Sequence, residues 1–196
     1  MDKKKVAIIC VIIFVVASFS IFWTKDTTIT DVEKYRQWDD SGIQGGLEIF
    51  PEFISKPDNT EYYYNLSKGL FDNGIQIYLK STLDKEEFEK EVERLSKVTN
   101  QYEGKKQKIE YKTKGFNYPA YVSIYNFDSE YEYALVDEKN LTISYIYLQY
   151  IDDKEIMFDK TEMPNDYREG KDSFNIYAYQ LEDESGWYIN NKNNVK

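Results

Sequence analysis

The sequence predicts an α+β domain, one curved antiparallel sheet with a single long helix packed on it, preceded by an N-terminal transmembrane helix. Three observations predict it. Val6–Trp23 is an uncharged apolar run behind a lysine cluster. Asp84–Val98 carries one helical stripe of apolar residues. The remainder is mostly short β-rich runs joined by short turn segments, and short connections favour antiparallel neighbours.

The N-terminal run VAIICVIIFVVASFSIFW holds 18 residues and no charge. As a helix it would rise about 27 Å, close to the roughly 30 Å of a bilayer's hydrocarbon core. It lacks the polar stripe of an amphipathic surface helix. Lys3, Lys4 and Lys5 flank one end, against Lys25 beside Asp26 at the other, so the positive-inside rule keeps the N-terminus in the cytoplasm. The expected partition is a cytoplasmic tail (1–5), a membrane helix acting as signal anchor or uncleaved signal (6–23), a polar linker (24–30), an extracytoplasmic domain (31–189) and a frayed tail (190–196). The alternative is secretion after cleavage, since Ser18-Phe19-Ser20 offers small residues before a cutting point. Cys10 fits no lipobox, because Ile9 precedes it where a small residue is needed.

Beyond the linker, Thr30 and Glu33 fit a capping box, so Asp31–Trp38 reads as a short helix. Leu47–Ile54 (LEIFPEFI) reads as a strand that Pro51 makes an edge or bulged one. Glu61–Leu66 and Ile75–Leu79 flank Asp72-Asn73-Gly74, a hairpin turn signal. Ile75, Ile77 and Leu79 alternate with Gln76, Tyr78 and Lys80, the period of a half-buried strand. In Asp84–Val98, Asp84 and Glu87 mark the start, and Phe88, Val92, Leu95 and Val98 form the stripe. Strands are then expected at Lys108–Thr113, Pro119–Phe127, Tyr131–Val136 and Leu141–Ile151. The last is apolar or aromatic on both faces, as a central strand would be. Further strands are expected near Phe174–Tyr179 and Trp187–Ile189.

Three stretches, SGIQGGLEIFPEFI, DKEEFEKEVERL and YPAYVSIYNFDSEYEYALVDEKN, resemble uncharacterised membrane-anchored or secreted proteins of low-GC Gram-positive bacteria. The resemblance spans most of the part outside the membrane. It implies a bacterial cell-surface location and carries over no functional residue.

Composition narrows the chemistry. The chain has no histidine, and its only cysteine is Cys10. Histidine-based triads, histidine-ligated zinc and thiol catalysis are therefore excluded. No Ser-x-x-Lys, Gly-x-Ser-x-Gly or glycine-rich phosphate loop is present. Residues 1–25 carry +3 of a total of −10, leaving −13 on the rest. Such a charge repels nucleic-acid phosphates, so nucleic acid is not an expected partner. With no disulfide available, folding depends on the core, and 19 Tyr, 11 Phe and 3 Trp supply one.

Carboxylate chemistry remains open, because two acidic side chains suffice for glycoside hydrolysis. Asp39-Asp40, Asp137-Glu138, Asp152-Asp153 and Glu182-Asp183-Glu184 are the adjacent carboxylates, most of them in expected turns and read as solvated. Asp166, Glu169 and Asp172 could supply oxygen ligands to calcium, but without EF-hand spacing; they read as a plain loop. Lys105, Lys106, Lys108, Lys112 and Lys114 form either an anion site or a lysine-guarded edge strand, the latter preferred. Tyr62-Tyr63-Tyr64, Tyr131, Tyr133, Tyr145, Tyr147, Tyr177 and Tyr179, with Trp38 or Trp187, could stack on sugars or simply pack across strands, and packing is the simpler cause. No catalytic, cofactor or metal residue is assigned. The expected role is a membrane-tethered, non-catalytic module that binds a surface protein or ligand. The alternative is a histidine-free carboxylate-pair hydrolase acting on glycans, which would need two carboxyls about 5–9.5 Å apart in a pocket, one with a raised pKa.

Overall fold

The structure is a computed structural model that describes residues 26–38, 43, 47–69, 73–102, 105–126, 130–151 and 155–165. Val6–Trp23, the calcium-like loop Asp166–Asp172 and the strands expected near Phe174–Tyr179 and Trp187–Ile189 lie outside those residues. Among the described residues no helix is long and apolar enough to cross a membrane.

The fold is α+β, mostly antiparallel sheet with one α-helix among the described residues. In chain order the elements are β1 (Thr27–Ile29), β2 (Thr60–Lys68), β3 (Asn73–Thr82), α1 (Lys85–Leu95), β4 (Thr99–Tyr102), β5 (Lys105–Lys108), β6 (Glu110–Lys112), β7 (Ala120–Asn126), β8 (Glu130–Asp137) and β9 (Thr142–Gln149). Seven strands form one sheet in the order β1-β2-β3-β9-β8-β7-β6, and β4 pairs with β5 separately. All the pairings are antiparallel.

Two meanders meet at β3 and β9. After β3 the chain runs through α1, re-enters the sheet at its far edge as β6, and returns strand by strand until β9 pairs with β3. Tyr78 lies opposite Ile146, and Ile77 opposite Tyr147. β9 is buried along its whole length, as its two apolar faces predict.

Alternation along the strands splits the core into two layers. Ile77 and Leu79 of β3, Tyr62 and Tyr64 of β2, and Tyr145 and Tyr147 of β9 face α1, which contributes Phe88 and Leu95. On the opposite face Tyr78, Tyr131, Tyr133, Ile146 and Leu148 meet Ile156 and Met163 from the segment after β9. Each fully buried aliphatic side chain here contributes about 1.5–3 kcal/mol. α1 starts where Asp84 accepts the Glu87 N–H at 3.0 Å, as the sequence indicates.

Five expectations are corrected. Asp31, not Thr30, caps the first turn, and that turn is a single 3-10 turn over Val32–Lys34. Thr27–Ile29, read as linker, forms the edge strand β1. Asn73 and Gly74 lie inside β3, paired with Lys68 and Ser67. A Cβ on Gly74 would come within 3.1 Å of the Tyr150 carbonyl oxygen and 2.9 Å of Ile151 Cδ1, so glycine serves close backbone approach here. The Lys108–Thr113 strand is broken at Ile109. That residue is buried and donates its N–H to Val98 O at 3.3 Å, leaving β5 to pair with β4 and β6 with β7.

Leu47–Ile54 is also not a strand. It is an irregular strap whose backbone groups are satisfied by side chains instead of by a ladder. This strap builds the candidate site.

Candidate functional site

A cleft of about 580 Å³ lies between the strap and α1. Its strap wall includes Leu47, Glu48 and residues 50–55; Glu87, Lys90, Glu91 and Arg94 line the helix side, with Ser81 and Tyr145 from the sheet. Phe53 of the strap is 74% exposed, the largest exposure of any big apolar side chain among the described residues.

Three side chains hold the strap's carbonyls. Arg36 donates from Nε to Pro51 O at 3.0 Å, and from Nη2 to Leu47 O at 3.2 Å and Phe50 O at 3.1 Å. Its φ of 58° lies in the left-handed region, a conformation that costs a non-glycine residue about 1 kcal/mol or more. The three bonds offset that strain, since hydrogen bonds from a charged donor contribute about 1.5–3 kcal/mol each. Tyr35 donates its hydroxyl to Pro51 O at 2.6 Å, and burial pushes that hydroxyl's pKa up to about 12. Arg94 donates to Ile49 O from the helix side.

Arg94 also grips Glu91, with Nε at 2.9 and 2.8 Å from the two carboxylate oxygens. Tyr145 donates its hydroxyl to Glu91 Oε1 at 2.6 Å. Burial, and then the Glu91 charge, raise the Tyr145 pKa well above its ordinary value, so it remains a donor. Glu91 therefore spends its lone pairs on internal partners.

On the sheet side a carboxyl tethers the strap. Ile49 donates its N–H to Glu132 Oε1 at 3.0 Å, across 83 residues of sequence. Glu132 sits on β8, fully buried. Glu130 shares its strand face two residues away and lies 3.0 Å from the Tyr147 hydroxyl. A bulge in β7 at Ser123 places that hydroxyl against Glu132. Burial pushes the Glu132 carboxyl up to about 8, reinforced by the negative charges of Glu48 and Glu130 and opposed by the Ile49 and Ser123 hydrogen bonds. Burial raises the Glu48 carboxyl as well. Near neutral pH Glu132 thus holds its proton, the usual outcome for a carboxyl in a dry site.

Of the adjacent carboxylates read from the sequence, Asp137-Glu138 alone lies among the described residues, and there it closes a turn. Asp137 accepts from the Asn140 backbone N–H at 3.1 Å and from its side-chain amide at 2.6 Å, closing the β8–β9 turn. Asp39-Asp40, Asp152-Asp153 and Glu182-Asp183-Glu184 include no described residue. Nor do the described tyrosines form an open platform. Trp38 stacks on Tyr62 at 5.9 Å and on Tyr64 at 5.2 Å, and Tyr131, Tyr133, Tyr145 and Tyr147 are buried. Tyr177 and Tyr179 lie outside the described residues. Lys112 lies on β6, the sheet's edge, in line with the edge-guarding reading.

Sequence reasoning missed Glu48, Glu130 and Glu132. The signal was present in Glu130-Tyr131-Glu132-Tyr133, where period two places both carboxyls on one face. Among the described residues no group of three or more His, Cys, Asp or Glu is arranged to hold a metal ion. No protein family, curated protein or solved structure matches this chain at a significant level.

The raised Glu132 pKa has a defined sign. The folded carboxyl binds its proton more tightly than the unfolded one, so its stabilising contribution is complete below about pH 4.5 and is lost as pH rises to about 8. Glu132→Gln removes that loss. In denaturant titrations the variant should gain on the parent by about 1.4 kcal/mol per pH unit across that window. A stability difference that does not vary with pH would contradict the assignment.

Proposed function

We propose that this chain is a membrane-tethered extracytoplasmic binding module, anchored by Val6–Trp23, whose ligand enters the cleft between the strap and α1. One observation carries the reading. The cleft's walls are held in advance by internal bonds, while Phe53 projects 74% exposed. Its volume of about 580 Å³ falls in the range of ligand pockets, about 300–1,000 Å³. Walls that lose little freedom on binding keep the ordering cost low. The fitting ligand has an apolar portion for Phe53 and polar groups for Lys90 and Glu52.

A carboxylate-pair hydrolase is the second reading. What favours it is Glu48, a carboxyl of raised pKa bordering the same cleft. What weighs against it is the commitment of Glu91 to Arg94 and Tyr145.

Ligand screening of the full chain, with peptides and oligosaccharides as probes, separates the two. Binding is expected to weaken at least tenfold in Phe53→Ala, since apolar anchors dominate such sites, with Tm unchanged. Affinity that survives Phe53→Ala contradicts the cleft assignment. Turnover of an oligosaccharide that disappears in Glu48→Gln would favour the hydrolase. For location, the full chain should fractionate with membranes, and its C-terminal part should be cut by protease added to intact spheroplasts. Intact chain in the cytosol would contradict the tether.

A further inference from the structure

The Glu132–Ile49 contact joins a buried titratable group to the wall of the cleft. Leu47–Pro51 is fastened by Arg36, Tyr35 and Arg94 through its carbonyls and by Glu132 through one N–H. Tyr35 and Arg94 both have pKa values raised further from neutrality, whereas the Glu132 carboxyl, protonated near neutral pH, loses its proton as the medium turns alkaline. We propose that the strap is a pH-gated lid, closed over the cleft when Glu132 is protonated and released when it ionises.

The groups that face Glu132 decide the direction. Glu48 approaches from the strap and Glu130 from β8, both acidic. Ser123 of β7 and the Ile49 N–H are its neutral donors. Arg94 of α1 binds Ile49 through the carbonyl oxygen, and its guanidinium is committed to Glu91. Tyr147 and Gln149 of β9 lie with Glu130, with the Tyr147 hydroxyl 2.6 Å from Gln149 Oε1. Oε2 of Glu132 and Oε2 of Glu48 are buried and without hydrogen-bond partners. Ionised Glu132 therefore gains a charge in a buried place, with one oxygen that no protein group reaches and two acidic neighbours. Lifting the strap hydrates it.

The coupling follows from linkage. Closed, the carboxyl titrates near 8; open and wet, it titrates near its ordinary 4.5. Between those values the opening equilibrium shifts about tenfold per pH unit, because only the open state ionises freely. This gate rests on the cleft being the ligand site for its consequence, though not for its existence. Ligand captured in neutral or mildly acidic surroundings would be released as the medium turns alkaline.

Amide hydrogen exchange of the full chain without ligand tests the gate. After correction for intrinsic pH dependence, protection of the Glu48, Ile49 and Phe50 amides is expected to fall about tenfold per pH unit between pH 6 and 8. The Ile146 and Leu148 amides of β9 should keep theirs. In Glu132→Gln the strap's protection should stay level. Should that variant not fold, Glu48→Gln serves instead, and its loss of protection should level off at lower pH, since one acidic neighbour is gone. The gate is overturned by strap protection that is independent of pH in the parent, by equal slopes in parent and variants, or by parallel loss throughout β8 and β9. Because no ligand is present, this outcome is separate from any failure of the binding assay.

Discussion

The central strands of this sheet are dry on both faces, and that constraint shapes everything attached to them. β9 is buried over Thr142–Gln149, and β8 over all but its last residue. A polar side chain there has no water to turn to, and leaving it unpaired costs about 1–3 kcal/mol. Its partners must come from the segments lying across the sheet. The irregular stretches on either face are held by such side-chain bonds, as well as by apolar contact.

The same device occurs on both faces. On the helix side Glu132 takes the Ile49 N–H. On the other side Gln76 acts as a short length of backbone, donating to Glu155 O at 2.9 Å and accepting from Met157 N at 3.1 Å. Nearby, Lys80 meets the buried Glu162 at 2.7 Å, fastening the 3-10 turn at Lys160–Glu162. Gln76 and Lys80 share a strand face, so their spacing sets where the segment 155–163 can lie. The candidate cleft is the helix-side instance with a gap left under the strap. One carboxyl there both positions the wall and can lose its proton.

The elements legible in sequence were those with a strong local pattern. Phe88, Val92 and Leu95 mark α1 because a helix repeats every 3.6 residues and Asp84 caps it. Ile75, Ile77 and Leu79 mark β3 in the same way, and the doubly apolar β9 announces its central place. The strap was not legible. LEIFPEFI has the composition of a strand, but its conformation is set by Arg36, Arg94 and Glu132, which lie 11 to 85 residues from its start. The site was illegible for the same reason. Glu130 fell in an expected turn, and what makes Glu132 unusual is burial beneath a segment far away in the chain. Neighbours on a strand point to opposite faces, so carboxyls at i and i+2, not adjacent ones, share a face.

If distant segments are held by polar side chains of a dry sheet, removing one such side chain should free its segment and leave the sheet intact. Gln76→Leu preserves bulk and removes both bonds to Glu155 and Met157. Amide exchange measured at Met157 and at Tyr78 gives the most direct reading. The account predicts that Met157 loses most of its protection in the variant while Tyr78 keeps its own. Unchanged protection at Met157 would contradict it, showing that apolar contacts through Ile156 and Met163 suffice to hold the segment in place.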